Sequence, residues 1–304
     1  MIPFRSYPLI IEGTEIEDTF AEAFPMSAVR LIVTAATPDW ALTAGRVTTG
    51  YAASVIGCDA EAGIEKTLSE NDTPDGRPGI SLLLFGFSRD ALQKAVVNRV
   101  GQCVLTCPTT ACFNGLLIDD RAISVGGNLR FFGDGWQISK LLDERRFWRI
   151  PGMDGEFLCE DKFGTVKGVA GGNFLILGET QAVALQAAEA AVSAIRGLEG
   201  VILPFPGGIV RSGSKVGSRY KKLRASVNEA YCPTLKGVVQ SALPANVNAA
   251  YEIVIDGITL AVVEEATRRG VRAACGPGIV RISAGNYGGK LGPFHLKLRE
   301  LLAT

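Results

Sequence analysis

Read along the chain, hydrophobic and polar positions switch between a strand-like and a helix-like period, and they do so twice in the same order. After Phe24-Pro25-Met26, the run Ala28 to Thr34 is β-branched and strand-like. A helix is expected from Pro38 to about Thr48, with Asp39 in its first turn. Tyr51 to Cys58 reads as a second strand and Gly79 to Gly86 as a third. Ser88 then caps a helix from Arg89 to about Val104 that carries Leu92, Ala95, Val96 and Val100 on one face. Thr109 to Leu117 closes this series as a strand.

The second half repeats the order. Gly172 to Gly178 is a strand, and Thr180 caps an Ala-rich helix from Gln181 to Arg196 that ends at Gly197. Val201 to Leu203 and Ala249 to Asp256 are strands. Thr259 to Arg269 is a helix stopped by Gly270, and Ile279 to Ser283 completes the set. Each half reads β-α-β-β-α-β, the split βαβ or ferredoxin-like order. The expected fold is therefore α+β: two tandem ferredoxin-like lobes related by internal duplication, residues 1–150 and 151–304. Inserted strands between Phe113 and Val169 and Gly-rich loops complete it, and the halves meet near Ile150-Pro151-Gly152. The loops Asn71 to Pro78, Gly152 to Gly155, Pro204 to Gly217 and Gly285 to Gly292 concentrate the glycines, and loops of such length in a compact domain are usually functional.

Composition narrows the chemistry. Hydrophobic residues are 47% and charged residues 20% of the chain, which supports packed cores rather than disorder. Lys+Arg and Asp+Glu both count 31, so the basic excess of a nucleic-acid binder is missing. The basic stretch Lys215 to Arg224 reads as a solvated or anion-facing loop. No apolar run approaches the ~20 residues of a membrane span, and Met1 to Pro8 lacks the pattern of a signal peptide, so a cytoplasmic protein is expected. Seven cysteines point to reduced thiols rather than a disulfide framework. One histidine, His295, sits in an apolar stretch that suits a core or interface role. A zinc site built on several histidines is excluded, and Ser-His-Asp or Cys-His catalysis would have to use His295. The chemistry must lean on carboxylates, amides, hydroxyls, lysines or backbone.

Several segments could carry it. Pro204 to Gly217 brings backbone N–H groups together with Ser212, Gly213, Ser214 and Lys215, and can wrap a polar or anionic ligand or serve as a plain loop. It lacks the spacing of a P-loop. Ser283 to Gly292 is a second such loop, with Asn286, Tyr287 and Lys290, and Val169 to Phe174 echoes its Ala-Gly-Asn-aromatic core. No dinucleotide fingerprint occurs. Cys103 and Cys107, with no histidine near in sequence, read as buried small hydrophobes rather than metal ligands. Cys107-Pro-Thr109-Thr110 and Cys232-Pro-Thr-Leu235 echo each other, and each proline leaves hydroxyls at a strand or loop edge. Glu252 stands in the strand Ala249 to Asp256, on the face shared by Val254 and Asp256. It belongs either to a solvated strand face or to a cleft wall, where a raised pKa would let it shuttle a proton.

Longer strings resemble a known family. Glu17 to Pro25, Ala60 to Glu65, Thr73 to Gly79, Gly101 to Thr110, Lys167 to Phe174, Pro204 to Gly208, Ser212 to Gly217, Tyr251 to Gly257 and Ile282 to Lys290 are similar to formylmethanofuran–tetrahydromethanopterin formyltransferases. The match runs from about Glu12 to the C-terminus, and the first ten or so residues look like an extension. The resemblance implies a transferase with no metal or prosthetic group, for which tetrahydromethanopterin and methanofuran-type carriers are co-substrates. It implies two ferredoxin-like lobes, a homotetramer, and a cleft at a subunit interface; hydrolase-complex subunits are further partners in methylotrophic bacteria. The family's acid/base glutamate falls on Glu252. Substrate-binding expectations fall on Thr109, Thr110, Ser212, Gly213, Ser214, Lys215, Asn286 and Tyr287, with the oxyanion met by loop N–H groups near Gly213 or by the Asn286 side chain. Aromatic residues outside the repeats (Phe131, Phe132, Trp136, Phe147 and Trp148) are expected to form exposed surface for subunit contacts. A non-catalytic scaffold and a ligand-sensing module of the same fold remain as rival readings.

Overall fold

The computed structural model describes residues 8–303; Met1 to Tyr7, on which the leader and extension readings rest, lie outside them. Packing divides the chain into two units, one formed by Met26–Gly168 and the other by the residues up to Pro25 together with those from Val169 onward.

The first unit begins within strand β1 (Phe20–Thr34) and continues through α1 (Pro38–Thr49), β2 (Glu61–Leu68), β3 (Gly79–Gly86), α2 (Arg89–Arg99) and β4 (Ala111–Asn114). Its strands pair antiparallel in the order β2-β3-β1-β4, with Val33 opposite both Ile80 and Cys112. The inserted strands β5 (Ile138–Leu142), β6 (Arg145–Gly152) and β7 (Gly155–Glu160) lengthen this sheet. β7 runs parallel to β4, and β6 and β5 follow as an antiparallel meander. Both helices start where a hydroxyl satisfies an orphan N–H: Thr37 accepts from Trp40 N at 3.3 Å and Ser88 from Ala91 N at 3.2 Å. Leu31, Val33, Ile80, Leu82 and Leu84 from the strands close on Ala41, Ala44, Leu92 and Val96 from the helices, all excluded from solvent.

Three expectations change in this unit. The strand expected over 51–58 lies instead at Glu61–Leu68. Tyr51 takes a left-handed φ of 52°, which a strand cannot hold, and the charges of β2 obscure its alternation because two of them point inward. Glu65 is buried and accepts from Arg30 at 2.8 and 2.6 Å and from Ser81 at 2.5 Å, so its charge is paired rather than solvated. α2 ends at Arg99 and passes into a π-helical turn, Val100–Val104. The last strand is shortened to Ala111–Asn114, since Thr109 has φ 65°.

The second unit holds β8 (Thr165–Gly178, whose first residues belong to the other unit), α3 (Gln181–Ile195), β9 (Val201–Ile202), β10 (Ala249–Gly257), α4 (Leu260–Ala274), β11 (Ile279–Ser283) and β12 (Phe294–Lys297). The order is β9-β10-β8-β11, antiparallel throughout. A short strand at Thr14–Ile16 adds to β11, and β12 pairs with the Phe20–Ala23 end of β1. Thr180 and Thr259 cap the two helices. Phe174, Ile176, Ile253 and Ile255 meet the alanine face of α3, and Val263 and Ala266 of α4 close the same core. Gly270 does not stop α4, which continues to Ala274. A Cβ there would come within 2.7 Å of Ile195 Cδ1 and 2.8 Å of Phe174 Cζ, so the glycine serves close packing rather than a helix end.

His295 is exposed, with its ring 4.9 Å from that of Phe20, so of the core and interface roles expected for it the core role does not hold. Of the aromatic set, Phe131, Phe132 and Trp136 are exposed as expected, but Phe147 is 8% exposed and Trp148 is half-buried. The Trp148 indole donates to Asp161 at 2.7 Å. Among the described residues no helix is long and apolar enough to cross a membrane.

Candidate active site

β10 carries the candidate carboxyl, and the first glycine-rich loop is laid directly against it. Val210 N donates to Glu252 O at 2.8 Å and Glu252 N to Val210 O at 3.0 Å. That single bridge ties residues 211–217 to the strand at Glu252. Ser214 Oγ donates to Glu252 Oε1 at 2.6 Å. Glu252 is 3% exposed, which removes the solvated-face reading, and its Oε2 is buried without a hydrogen-bond partner. Burial pushes the Glu252 carboxyl up to about 7, against the lowering effect of the Ser214 hydroxyl and backbone N–H. A carboxyl poised there exchanges protons readily at neutral pH.

The second loop is built on another carboxylate. Glu22, in β1 between the buried Ala21 and Ala23, is 3% exposed. Its Oε1 accepts from Tyr287 N at 2.5 Å and Gly289 N at 2.6 Å, and its Oε2 from Leu291 N at 2.7 Å and Gly292 N at 3.1 Å. Burial would raise its pKa, but the four backbone N–H groups outweigh it and the net shift is downward. The loop sits close on the strand: a Cβ on Gly292 would lie 2.3 Å from Ala23 O. Sequence reasoning missed Glu22; the available signal was a lone acid amid small apolar residues in a strand.

Tyr287 joins the two loops. Its hydroxyl accepts from Val216 N at 2.6 Å and donates to Ser214 O at 3.3 Å. Lys215 is spent on Glu229, at 2.6 Å from each carboxylate oxygen. Gly213 turns the loop with φ 70°, and Ser212 is exposed. Asn286 commits its amide hydrogens to Thr19 Oγ1 and Phe20 O, at 3.0 and 3.1 Å. Ser212 to Lys215, Glu252, Asn286 and Tyr287 thus fall within one unit.

Thr109 and Thr110 belong to the other unit. Thr110 Oγ1 donates to Val104 O at 2.6 Å and is buried, closing the π-helical turn. Thr109 Oγ1 accepts from Ala36 N at 3.0 Å, and Thr109 N donates to Asp154 at 2.8 Å. The same unit has a cavity of about 460 Å³ over Phe113, Phe147 and Leu158, which none of the expected site residues lines. Cys103 and Cys107 are half-buried rather than buried, and burial raises both thiols above their ordinary value, away from the reactive thiolate.

Two family models match the chain. Residues 9–152 match "Formylmethanofuran-tetrahydromethanopterin formyltransferase" and residues 155–301 match "FTR, proximal lobe". The chain is 56% identical over 299 residues to the formylmethanofuran–tetrahydromethanopterin formyltransferase of Methylococcus capsulatus, covering 97% of this chain and 100% of that one. It is 55% identical over 304 residues to the protein of the same name from Methylobacillus flagellatus, with coverage of 97% and 100%. In three dimensions it resembles a chain of the formyltransferase/hydrolase complex of Methylorubrum extorquens, solved with methylofuran. That match has a TM-score of 0.94 and 53% identity, and covers 97% of this chain and 99% of that one.

Proposed function

The chain belongs to the formylmethanofuran–tetrahydromethanopterin formyltransferase family and is a formyltransferase, and from this we propose how its own residues carry the transfer. The substrates are a methanofuran- or methylofuran-type amine and N5 of tetrahydromethanopterin. The amine of one carrier attacks the formamide carbon of the other and forms a tetrahedral oxyanion. Glu252 takes the proton from the attacking nitrogen and returns it to the departing one, so that collapse releases the second carrier. No covalent intermediate with the protein is needed. The observation that carries this reading is the state of Glu252: a buried carboxyl with one hydroxyl donor, one unpartnered oxygen and a pKa near 7.

Backbone N–H groups about Gly213 are assigned to the oxyanion, where each donor is worth about 3–4 kcal/mol. With the Asn286 amide committed to Thr19 and Phe20, that residue shapes the loop in this reading. Ser212, Tyr287 and Thr109 are proposed to bind the carriers, whereas Lys215 and Thr110, expected to do so, keep their polar atoms on Glu229 and Val104. Retention of a poised carboxyl speaks against a scaffold without activity.

We further propose two ferredoxin-like lobes related by duplication, residues 1–150 and 151–304. The strand orders β2-β3-β1-β4 and β9-β10-β8-β11 support the duplication, each placing the second, third, first and fourth strands side by side, while packing divides the chain at Met26 and Gly168 rather than at residue 150. A cytoplasmic homotetramer, or a place in a hydrolase complex like that of the structural relative, is proposed on the same family basis. The test is formyl transfer between the two carriers by Glu252→Gln. The kcat should fall about 10²–10⁴-fold with KM little changed. Turnover within a few-fold of the parent would remove Glu252 from the reaction.

A further inference from the structure

We propose that Glu22 is a positioning residue: through the loop 285–292 and the Tyr287 side chain, it holds the Ser214 hydroxyl on Glu252. The inference concerns a residue that touches neither carrier in the reading above, and its link to turnover rests on Glu252 being the acid/base.

A carboxylate buried to 3% exposure is tolerated only when its oxygens are satisfied. Those of Glu22 receive two N–H donors each, all from one loop. Successive backbone N–H groups converging on one point form the concavity that elsewhere binds a free anion. Here the anion is part of the chain, so the loop is fixed from within. The first donor is the backbone N–H of Tyr287, the residue whose hydroxyl reaches Val216 N and Ser214 O. Ser214 in turn supplies the hydrogen bond to Glu252 Oε1, while Oε2 has none. A four-residue relay, Glu22 to Tyr287 to Ser214 to Glu252, therefore lies wholly within one packing unit. The other titratable groups near its end are accounted for: Lys215 is paired with Glu229, and the Tyr287 phenol is itself held above its ordinary value, chiefly by burial.

Glu22→Gln keeps the shape but replaces an acceptor oxygen with a donor, leaving loop N–H groups without acceptors. The experiment follows the Glu252 carboxyl by infrared titration, its band identified by loss in Glu252→Gln, alongside kcat against pH and a thermal melt. In Glu22→Gln, the Glu252 midpoint should rise by about one pH unit, the worth of one hydrogen bond to a charged group. The ionised fraction at pH 7 would then fall about fivefold and the acid limb of kcat would move upward with it. Tyr287→Phe, a milder change, should shift the midpoint in the same direction. Ser214→Ala should do so too, and adding Glu22→Gln to Ser214→Ala should shift it no further. An unmoved midpoint in folded Glu22→Gln, or in Tyr287→Phe if the first variant fails to fold, overturns the proposal. A midpoint that moves while kcat ignores it upholds the relay and sinks the acid/base role of Glu252 instead.

Discussion

A carboxyl that must take a proton and give it back works best when neither form dominates at the working pH. At Glu252 that balance is obtained by burial, and burial has a measurable price in stability. Between the ordinary value of 4.5 and about 7, the folded chain binds more protons at this position than the unfolded chain does. Stability therefore falls as pH rises through that window, and the cost above it is about 3 kcal/mol. Glu252→Gln removes the charge, so urea unfolding should find the variant more stable than the parent at pH 8. The gain should shrink toward zero near pH 4; an equal gain at both values contradicts the burial account. Glu22 has the opposite sign. Its lowered pKa contributes stability above the ordinary carboxylate range that is lost as pH falls through the folded value. Among the thiols, Cys107 is half-buried with its pKa raised by burial, and Cys107→Ser should leave kcat within about twofold of the parent. A large loss would put a thiol into the mechanism.

Elements pack here by leaving side chains out. α3 presents Ala184, Ala188 and Ala191 to the core, and α4 presents Gly270 where Ile195 and Phe174 press closest. Gly270→Ala improves intrinsic helix propensity by about 1 kcal/mol, yet it drives a methyl into contacts of 2.7 and 2.8 Å. Overpacking of that kind costs about 1–3 kcal/mol, so the substitution should lower Tm despite favouring the helix; a raised Tm would show that the neighbours yield. Gly270 also shows where sequence reading reaches its limit. The starts of α2 and α3 were legible because Ser88 and Thr180 precede them. The end of α4 was not, since a glycine that ends a helix and one that admits a neighbour look alike without the neighbour. The strand at Glu61–Leu68 was hidden for a related reason. Glu65 looks solvated until Arg30 and Ser81, which are distant in sequence, are placed beside it. Glu252 was legible as a candidate because its string is specific and its setting apolar. The Glu22 cage was not, because its donors are backbone N–H groups and carry no side-chain signature.

For the whole molecule, the exposed aromatics are where assembly can be tested. Phe131, Phe132 and Trp136 are 66, 67 and 79% exposed and lie close together in sequence, a surface that suits a subunit contact in the proposed assembly. Arg130 lies 4.2 Å from the ring centroid of Phe131, which leaves Phe132 and Trp136 the cleaner probes. In the proposed homotetramer, Phe132→Glu or Trp136→Glu should lower oligomer mass and specific activity together, as read by light scattering and carrier turnover. Full activity from a well-folded monomer would separate assembly from catalysis.

The cage around Glu22 has a consequence in time. Its donors stand 265 to 270 residues further along the chain, so a growing polypeptide completes its other unit long before this carboxylate meets the N–H groups that donate to it. Closing a loop of that length costs about 5 kcal/mol in chain entropy beyond a constant term, and contacts so remote in sequence form late. Glu252 can thus be translated and its strand paired while the support behind Ser214 is still absent. The chain would acquire its helices early and the poise of Glu252 last, so that a nascent molecule would be folded in large part before its carboxyl is tuned.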